Sequence, residues 1–155
     1  MAQDMTFERC RDVLSRIARF HEHMRQQYEH LEEVAERKRV QLVLDYLAGQ
    51  EANLKASLDR YRSEAPEEVL ETWIQYSTRS ELPEPFRDAK LPADMDLDAV
   101  TDLAARFDGW LMESFQQLAE ESDVPELQEL FSALVEQQEK ERRQLSKNLN
   151  ALADI

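Results

Sequence analysis

Five polar side chains interrupt otherwise apolar helical stripes, and they are residue types that bind metals or carry protons. His21, Glu51, Asp108, Gln138 and Glu141 each stand where helical spacing predicts an apolar residue. Imidazole and carboxylate groups are ligands of divalent metals, and an oxygen-rich set favours iron or manganese over zinc. The pattern therefore suggests a metal site formed by His21, Glu51, Asp108 and Glu141. Gln138 would hydrogen-bond to a ligand from outside the coordination sphere.

The same layer could be neutralised without a metal. Burying an unpaired carboxylate costs several kcal/mol, so a compensating charge or proton is needed. Arg25 or Arg142 could reach the layer while His21 is protonated. Alternatively, two carboxylates could share a proton, which would raise the pKa of one of them above about 4. If the stripe assignment is one residue out, Asp108 or Glu141 lies in water instead.

Four amphipathic segments position these residues. Apolar side chains recur at steps of three and four, as on the core-facing side of a helix. The stripes run through Cys10–Ala35, Val40–Tyr61, Leu97–Leu118 and Leu127–Leu145. We predict a turn near Glu36–Arg39 and another at Asp123–Pro125. One continuous helix through the first turn is an alternative, and its roughly 55 residues would need a coiled-coil partner.

The connection between the two halves is rich in proline. It predicts one short helix over Glu67–Tyr76, with Pro66 at its start. Val69, Leu70, Trp73 and Ile74 share one face of that helix, which we expect to cap the core. Trp73 and Trp110 are predicted to be packing residues.

A shift of 87 residues superimposes the first pair of segments on the second. Core positions remain hydrophobic, as for Phe20 and Phe107, and His21 aligns with Asp108. The prediction is a single all-α domain over 1–155, with helical hairpins at 7–62 and 98–153 and a crossover at 63–97. Two such hairpins joined by a long connection describe a four-helix bundle.

Composition excludes several classes of protein. Only Gly49 and Gly109 are glycines, so motifs such as the P-loop and the dinucleotide fingerprint cannot be written. The single cysteine, Cys10, excludes an intramolecular disulfide framework and cysteine-rich zinc sites. A net charge of −14 opposes binding to nucleic acid. The lack of long apolar runs favours a cytoplasmic protein without a membrane partner.

Two stretches resemble the hairpins of rubrerythrin-type members of the ferritin-like superfamily. They are Tyr28-Glu-His-Leu-Glu-Glu-Val-Ala through Leu47-Ala-Gly-Gln-Glu51-Ala-Asn-Leu54, and Phe115-Gln-Gln-Leu-Ala-Glu-Glu-Ser through Gln138-Glu-Lys-Glu141. In that family each hairpin supplies a Glu and a Glu-x-x-His motif, which together bind two irons.

The family's ligand positions are only partly kept in this chain. Glu51 matches a family ligand, and Asp108 replaces a Glu conservatively. The other positions carry His21, Leu54, Gln138 and Glu141. The resemblance therefore implies the ferritin-like fold with a degenerate metal site.

Three functions are consistent with the sequence. The first is a non-catalytic bundle that acts through its surface, as a homodimer or with an unidentified protein partner. The second is an iron- or manganese-dependent redox or iron-handling protein, with Tyr28 as a redox-active residue near the ligands. The third is an adaptor that presents the helix around Trp73 and the stretch Leu82–Phe86 to another protein. No catalytic residue is assigned.

Overall fold

The computed structural model describes residues 6–76, Phe86 and residues 96–153, and this part of the chain is mostly helical. The predicted all-α class is confirmed at that level. Two long helices lie on each side of the crossover. Of the predicted crossover, residues 77–85 and 87–95 lie outside the described residues, as does the stretch Leu82–Pro85.

The first hairpin consists of α1 (Cys10–Val34) and α2 (Lys38–Glu64), which pack closely on each other. The predicted turn lies slightly earlier than expected, at residues 35–37. Gln41 Nε2 donates to the Ala35 carbonyl oxygen at 2.7 Å, so the first turn of α2 satisfies a carbonyl just after α1. The alternative of one continuous helix is therefore wrong.

The short helix of the crossover is shorter than predicted. A single turn, α3 (Glu67–Leu70), follows Pro66, and the chain then forms strand β2 (Trp73–Tyr76). Strand β2 pairs antiparallel with β1 (Thr6–Arg9), which directly precedes α1. The predicted helix over Glu67–Tyr76 is therefore wrong beyond Leu70, because Trp73–Tyr76 is a strand. The predicted start of the first hairpin at residue 7 is also wrong, because Thr6–Arg9 is a strand and α1 begins at Cys10. Pairing with a distant segment outweighed local helical spacing, and aromatic and β-branched residues favour strands.

The second hairpin consists of α4 (Leu97–Glu121) and α5 (Pro125–Ala153). The Asp96 side chain caps α4 by accepting a hydrogen bond from Ala99 N at 2.8 Å. At the turn, Gln128 Nε2 donates to the Ser122 carbonyl oxygen at 2.6 Å.

The two hairpins have matching boundaries. Helices α1 and α4 start at Cys10 and Leu97, 87 residues apart, and α2 and α5 start with the same offset. The capping contacts follow it too, since Gln128 and Ser122 stand 87 residues after Gln41 and Ala35. The internal repeat predicted from the sequence is thus present in the helix ends and in the turns.

The core lies between the predicted stripes. The largest buried apolar side chains are Tyr28, Phe107, Phe115, Phe131, Leu14, Met24, Leu44, Leu47, Leu111 and Leu127. Trp110 packs as predicted, with its ring centroid 5.4 Å from Phe20 and 6.2 Å from Phe107. Leu70 and Ile74 also reach the core, but Trp73 is 62% exposed. The prediction that Trp73 is a packing residue is therefore wrong, because alternate residues of a strand point to opposite faces.

Within the described residues, no helix combines the length and the apolar character needed to cross a membrane.

Candidate functional site: a buried polar layer

Each long helix carries a buried polar side chain near its middle that contacts its counterpart on the other helix of the same hairpin. They are His21 on α1, Glu51 on α2, Asp108 on α4 and Gln138 on α5. The helical stripe carries each of them inward, because each stands three or four residues from buried apolar neighbours. His21 and Asp108 are 87 residues apart, as are Glu51 and Gln138. The layer thus consists of two polar pairs, one in each hairpin, at equivalent positions.

The first pair joins α1 to α2. His21 Nδ1 lies 2.5 Å from Glu51 Oε2, and the two residues are only 1% and 2% exposed. An ionised carboxylate only accepts, so in the Nδ1–H tautomer the imidazole donates to it. The Phe107 ring meets the imidazole edge-on, with the centroids 6.0 Å apart. This contact gives the Glu51 carboxylate a hydrogen-bond donor inside an apolar core.

The second pair joins α4 to α5. Gln138 Nε2 donates to Asp108 Oδ1 at 2.9 Å. Burial, together with the charge of Glu51, raises the pKa of Asp108 from 3.8 to about 7, although the Gln138 amide and Arg142 act in the opposite direction. Asp108 therefore exchanges its proton near neutral pH, which is unusual for an aspartate.

Tyr28 is a buried tyrosine of α1 whose hydroxyl is affected by the charges of Glu51 and Asp108. The ring is fully buried, and burial raises the pKa of its hydroxyl well above 10, with added contributions from Glu51 and Asp108. The phenol therefore stays protonated at neutral pH.

Glu141 is held by a residue that the sequence analysis did not assign to the site. Gln50 Nε2 donates to the Glu141 carbonyl oxygen at 2.9 Å and to its Oε2 at 3.1 Å. Glu141 is half-buried, whereas Gln50 is buried. The signal available in the sequence was the 87-residue repeat, which aligns Gln50 with Gln137. Gln137 likewise donates across to the other hairpin, to Ser57 Oγ at 3.1 Å.

These side chains do not fit the reduced metal site that the resemblance implies. In the part of the chain that the structure describes, no three His, Cys, Asp or Glu side chains are grouped so that they could hold a metal ion. His21 instead hydrogen-bonds to Glu51 through Nδ1, and Asp108 accepts a hydrogen bond from the Gln138 amide. The Glu141 carboxylate accepts a hydrogen bond from the Gln50 side chain.

Of the two arginines predicted to neutralise the layer, only Arg142 acts on one of its carboxyl groups. The prediction that Arg25 neutralises the layer is wrong, because Arg25 pairs with Glu22 and with Glu29 on its own helix. Arg142 is exposed but close enough for its charge to lower the pKa of Asp108. The raised pKa of Asp108 agrees with the alternative in which a buried carboxyl keeps its proton.

No protein-family model, curated protein or solved structure matches this chain. Cys10 offers no chemistry in addition, because burial raises the pKa of its thiol to about 11 and keeps it protonated at neutral pH.

Proposed function

We propose that this protein is a ferritin-like four-helix bundle that is non-catalytic and acts by binding another protein. Its polar layer is a degenerate metal site that now fixes the register of the helices, that is, how far each is shifted along its neighbour. One observation carries the proposal: each polar side chain of the layer hydrogen-bonds to its partner in the same hairpin, through the His21–Glu51 and Asp108–Gln138 contacts.

The matching hairpins support the ferritin-like assignment. In this superfamily the layer is built from equivalent positions of two hairpins joined by a long crossover. Here His21 and Glu51 are 30 residues apart, and so are Asp108 and Gln138, with a contact within each pair. This equivalence is expected if both pairs descend from one set of ligand positions.

A registering role follows from the cost of breaking either pair. Sliding one helix along its neighbour by a turn would separate His21 from Glu51 and leave a buried carboxylate without its donor. Such a group costs several kcal/mol, so the pair opposes any other register. Apolar stripes alone tolerate more alternatives, because one leucine replaces another at little cost.

Elemental analysis of the purified protein tests the proposal against the iron or manganese alternative. We expect substoichiometric metal and a melting temperature that Fe(II) and Mn(II) leave unchanged, since a ligand that binds only the folded state raises it. The Glu51→Ala variant should give the same null result with either metal. Near-stoichiometric iron or manganese that is lost in Glu51→Ala would overturn the proposal and favour the metal-dependent alternative.

A further inference from the structure

A groove between α2 and α5 is apolar and open to solvent. Its volume is about 340 Å³. It is lined from α2 by Leu42, Val43 and Tyr46 and from α5 by Leu145, Leu149 and Ala151. Val43 and Leu145 belong to the core, whereas Leu42 is 42% exposed and Ala151 is exposed as well. We call these six residues the α2–α5 groove.

The internal repeat supplies an equivalent groove for comparison. A shift of 87 residues aligns Leu42 with Glu129, Arg62 with Leu149 and Glu64 with Ala151. The outward positions of the α2–α5 groove are thus apolar where the equivalent groove carries charges. Because the equivalent helices fold with charged residues there, packing inside the bundle does not require apolar ones. Exposed apolar residues grouped in this way mark a surface that binds another molecule.

Basic side chains border the groove along α5. Lys140 and Lys147 share one stripe of the helix, and Ala151 of the groove lies one turn after Lys147. Both lysines are exposed, and so is Arg143 between them. Among the described residues, no ion pair involves any of these three side chains. We call Lys140, Arg143 and Lys147 the basic flank.

The opposite wall of the groove has no such excess of charge. Lys38 and Asp45 of α2 lie one turn before and one turn after Leu42 and carry opposite charges. An acidic partner would therefore find its complement on the α5 side of the groove.

We propose that the α2–α5 groove binds an acidic amphipathic helix of a partner protein, with the apolar face of that helix in the groove and its carboxylates against the basic flank. A helix in a groove makes contacts at steps of three and four along one face. Leu145 and Leu149 are four residues apart, as are Leu42 and Tyr46, so each wall extends over one helical turn. This inference rests on the proposed function, because it names the surface and the partner chemistry of a protein-binding bundle.

Charge and shape favour this occupant over two others. A second copy of the chain, placed groove to groove across a twofold axis, would bring the two basic flanks together. A flat anionic bilayer would reach the exposed Leu42 but not the buried Val43 and Leu145 of the groove. A helix fits between the two walls, and its carboxylates meet side chains of opposite charge.

Three fluorophore-labelled peptides of about 16 residues test the proposal, each with leucine at positions i, i+3, i+4 and i+7 of a helix. They differ only at their polar positions, which carry glutamate, glutamine or lysine. Fluorescence anisotropy measures the binding of each to the full chain. We expect saturable binding of the glutamate peptide, and affinities lower by about five-fold or more for the other two. The net charge of −14 by itself would favour the lysine peptide, so the expected order reports the basic flank.

An exchange copied from the equivalent groove tests the apolar residues. Leu42→Glu with Leu149→Arg introduces the residue types of the equivalent positions and leaves the net charge unchanged. It should weaken binding of the glutamate peptide by about ten-fold or more, because two apolar contacts are lost. Phe7→Glu with Trp73→Arg makes the same exchange at two exposed residues of the sheet, and should change affinity less than about two-fold.

A charge-matched pair of variants tests the basic flank. Lys140→Gln with Lys147→Gln should weaken binding of the glutamate peptide by about five-fold or more. Arg19→Gln with Arg60→Gln removes the same charge from exposed positions of α1 and α2 outside the groove, and should change affinity less than about two-fold. All four positions are exposed, so circular dichroism should show an unchanged fold.

The inference would be overturned if the glutamate peptide showed no saturable binding, if the lysine peptide bound more tightly, or if the two charge-matched variants lost affinity equally. It would also be overturned by a wild-type dimer that Leu42→Glu with Leu149→Arg converts to a monomer in light scattering, which would assign the groove to a second copy. Binding to phosphatidylserine vesicles that the same exchange abolishes would assign it to a membrane instead. None of these results bears on metal content, so failure here is distinguishable from failure of the metal-free proposal.

Discussion

Replacing Asp108 by asparagine should remove a large part of the pH dependence of stability. The pKa of this carboxyl is about 7 in the folded protein, because of burial and of the Glu51 charge, against 3.8 as the ordinary value. Below pH 4 both states hold the proton, and between pH 4 and 7 only the folded state does. Stability therefore falls as the pH rises through this window, and the loss is complete above pH 7.

The size of the effect follows from the two pKa values. They differ by about 3 pH units, at about 1.4 kcal/mol each, so ionising Asp108 costs the folded state about 4 kcal/mol at pH 8. Asparagine has the same shape, stays neutral and can still accept from Gln138. Asp108→Asn should thus match the wild type within about 1 kcal/mol at pH 4 and exceed it by about 4 kcal/mol at pH 8.

Urea denaturation from pH 4 to pH 8 measures this difference directly. Taking the difference between the two proteins cancels every titration they share. Asp102→Asn is the matched control, because Asp102 is exposed on the same helix; its difference from the wild type should stay within about 0.5 kcal/mol. A flat Asp108→Asn difference, or one that falls as the pH rises, would refute the reasoning about burial.

Three further predictions concern stability, each measured by urea denaturation at pH 7. His21→Leu or Glu51→Leu alone should cost about 3–5 kcal/mol, whereas the double variant should recover most of it, because an apolar pair replaces a buried polar one; additive losses would contradict this. Asp96→Ala should cost about 1 kcal/mol by removing the cap of α4, and no loss would mean that Ala99 N finds another acceptor. Phe107→Ala should cost about 3–5 kcal/mol by leaving a core cavity, whereas Phe7→Ala should change stability by about 0.5 kcal/mol or less; similar losses would show that the exposure of Phe7 is wrong.

The helices and their inward faces were predictable because their signal is local. Spacing by three and four carries a residue to the same side of a helix wherever that helix packs. Cys10, Leu44 and Phe131 were assigned to stripes on this ground, and all three are buried. The polar interruptions were found by the same rule, since a stripe makes an unexpected His21 or Asp108 visible.

The strand pairing was not predictable from this signal. A period of three or four over Val69, Leu70, Trp73 and Ile74 fits a helix, but it does not report that β1 lies alongside. Once β2 pairs with β1, Ile74 turns inward and Trp73 turns to solvent. The exposure of Trp73 was therefore decided by the strand pairing and not by local spacing.

The sequence by itself determined which residues form helices, which sides of them face inward, and that polar residues interrupt the apolar stripes of two hairpins offset by 87 residues. Only the tertiary structure decided which polar atoms meet: His21 with Glu51, Asp108 with Gln138, and Glu141 with Gln50. The physical reason is the separation along the chain over which each kind of information acts. Helical periodicity is written within a few residues, whereas a hydrogen bond depends on a few tenths of an ångström between side chains that are 30 to 91 residues apart in the chain.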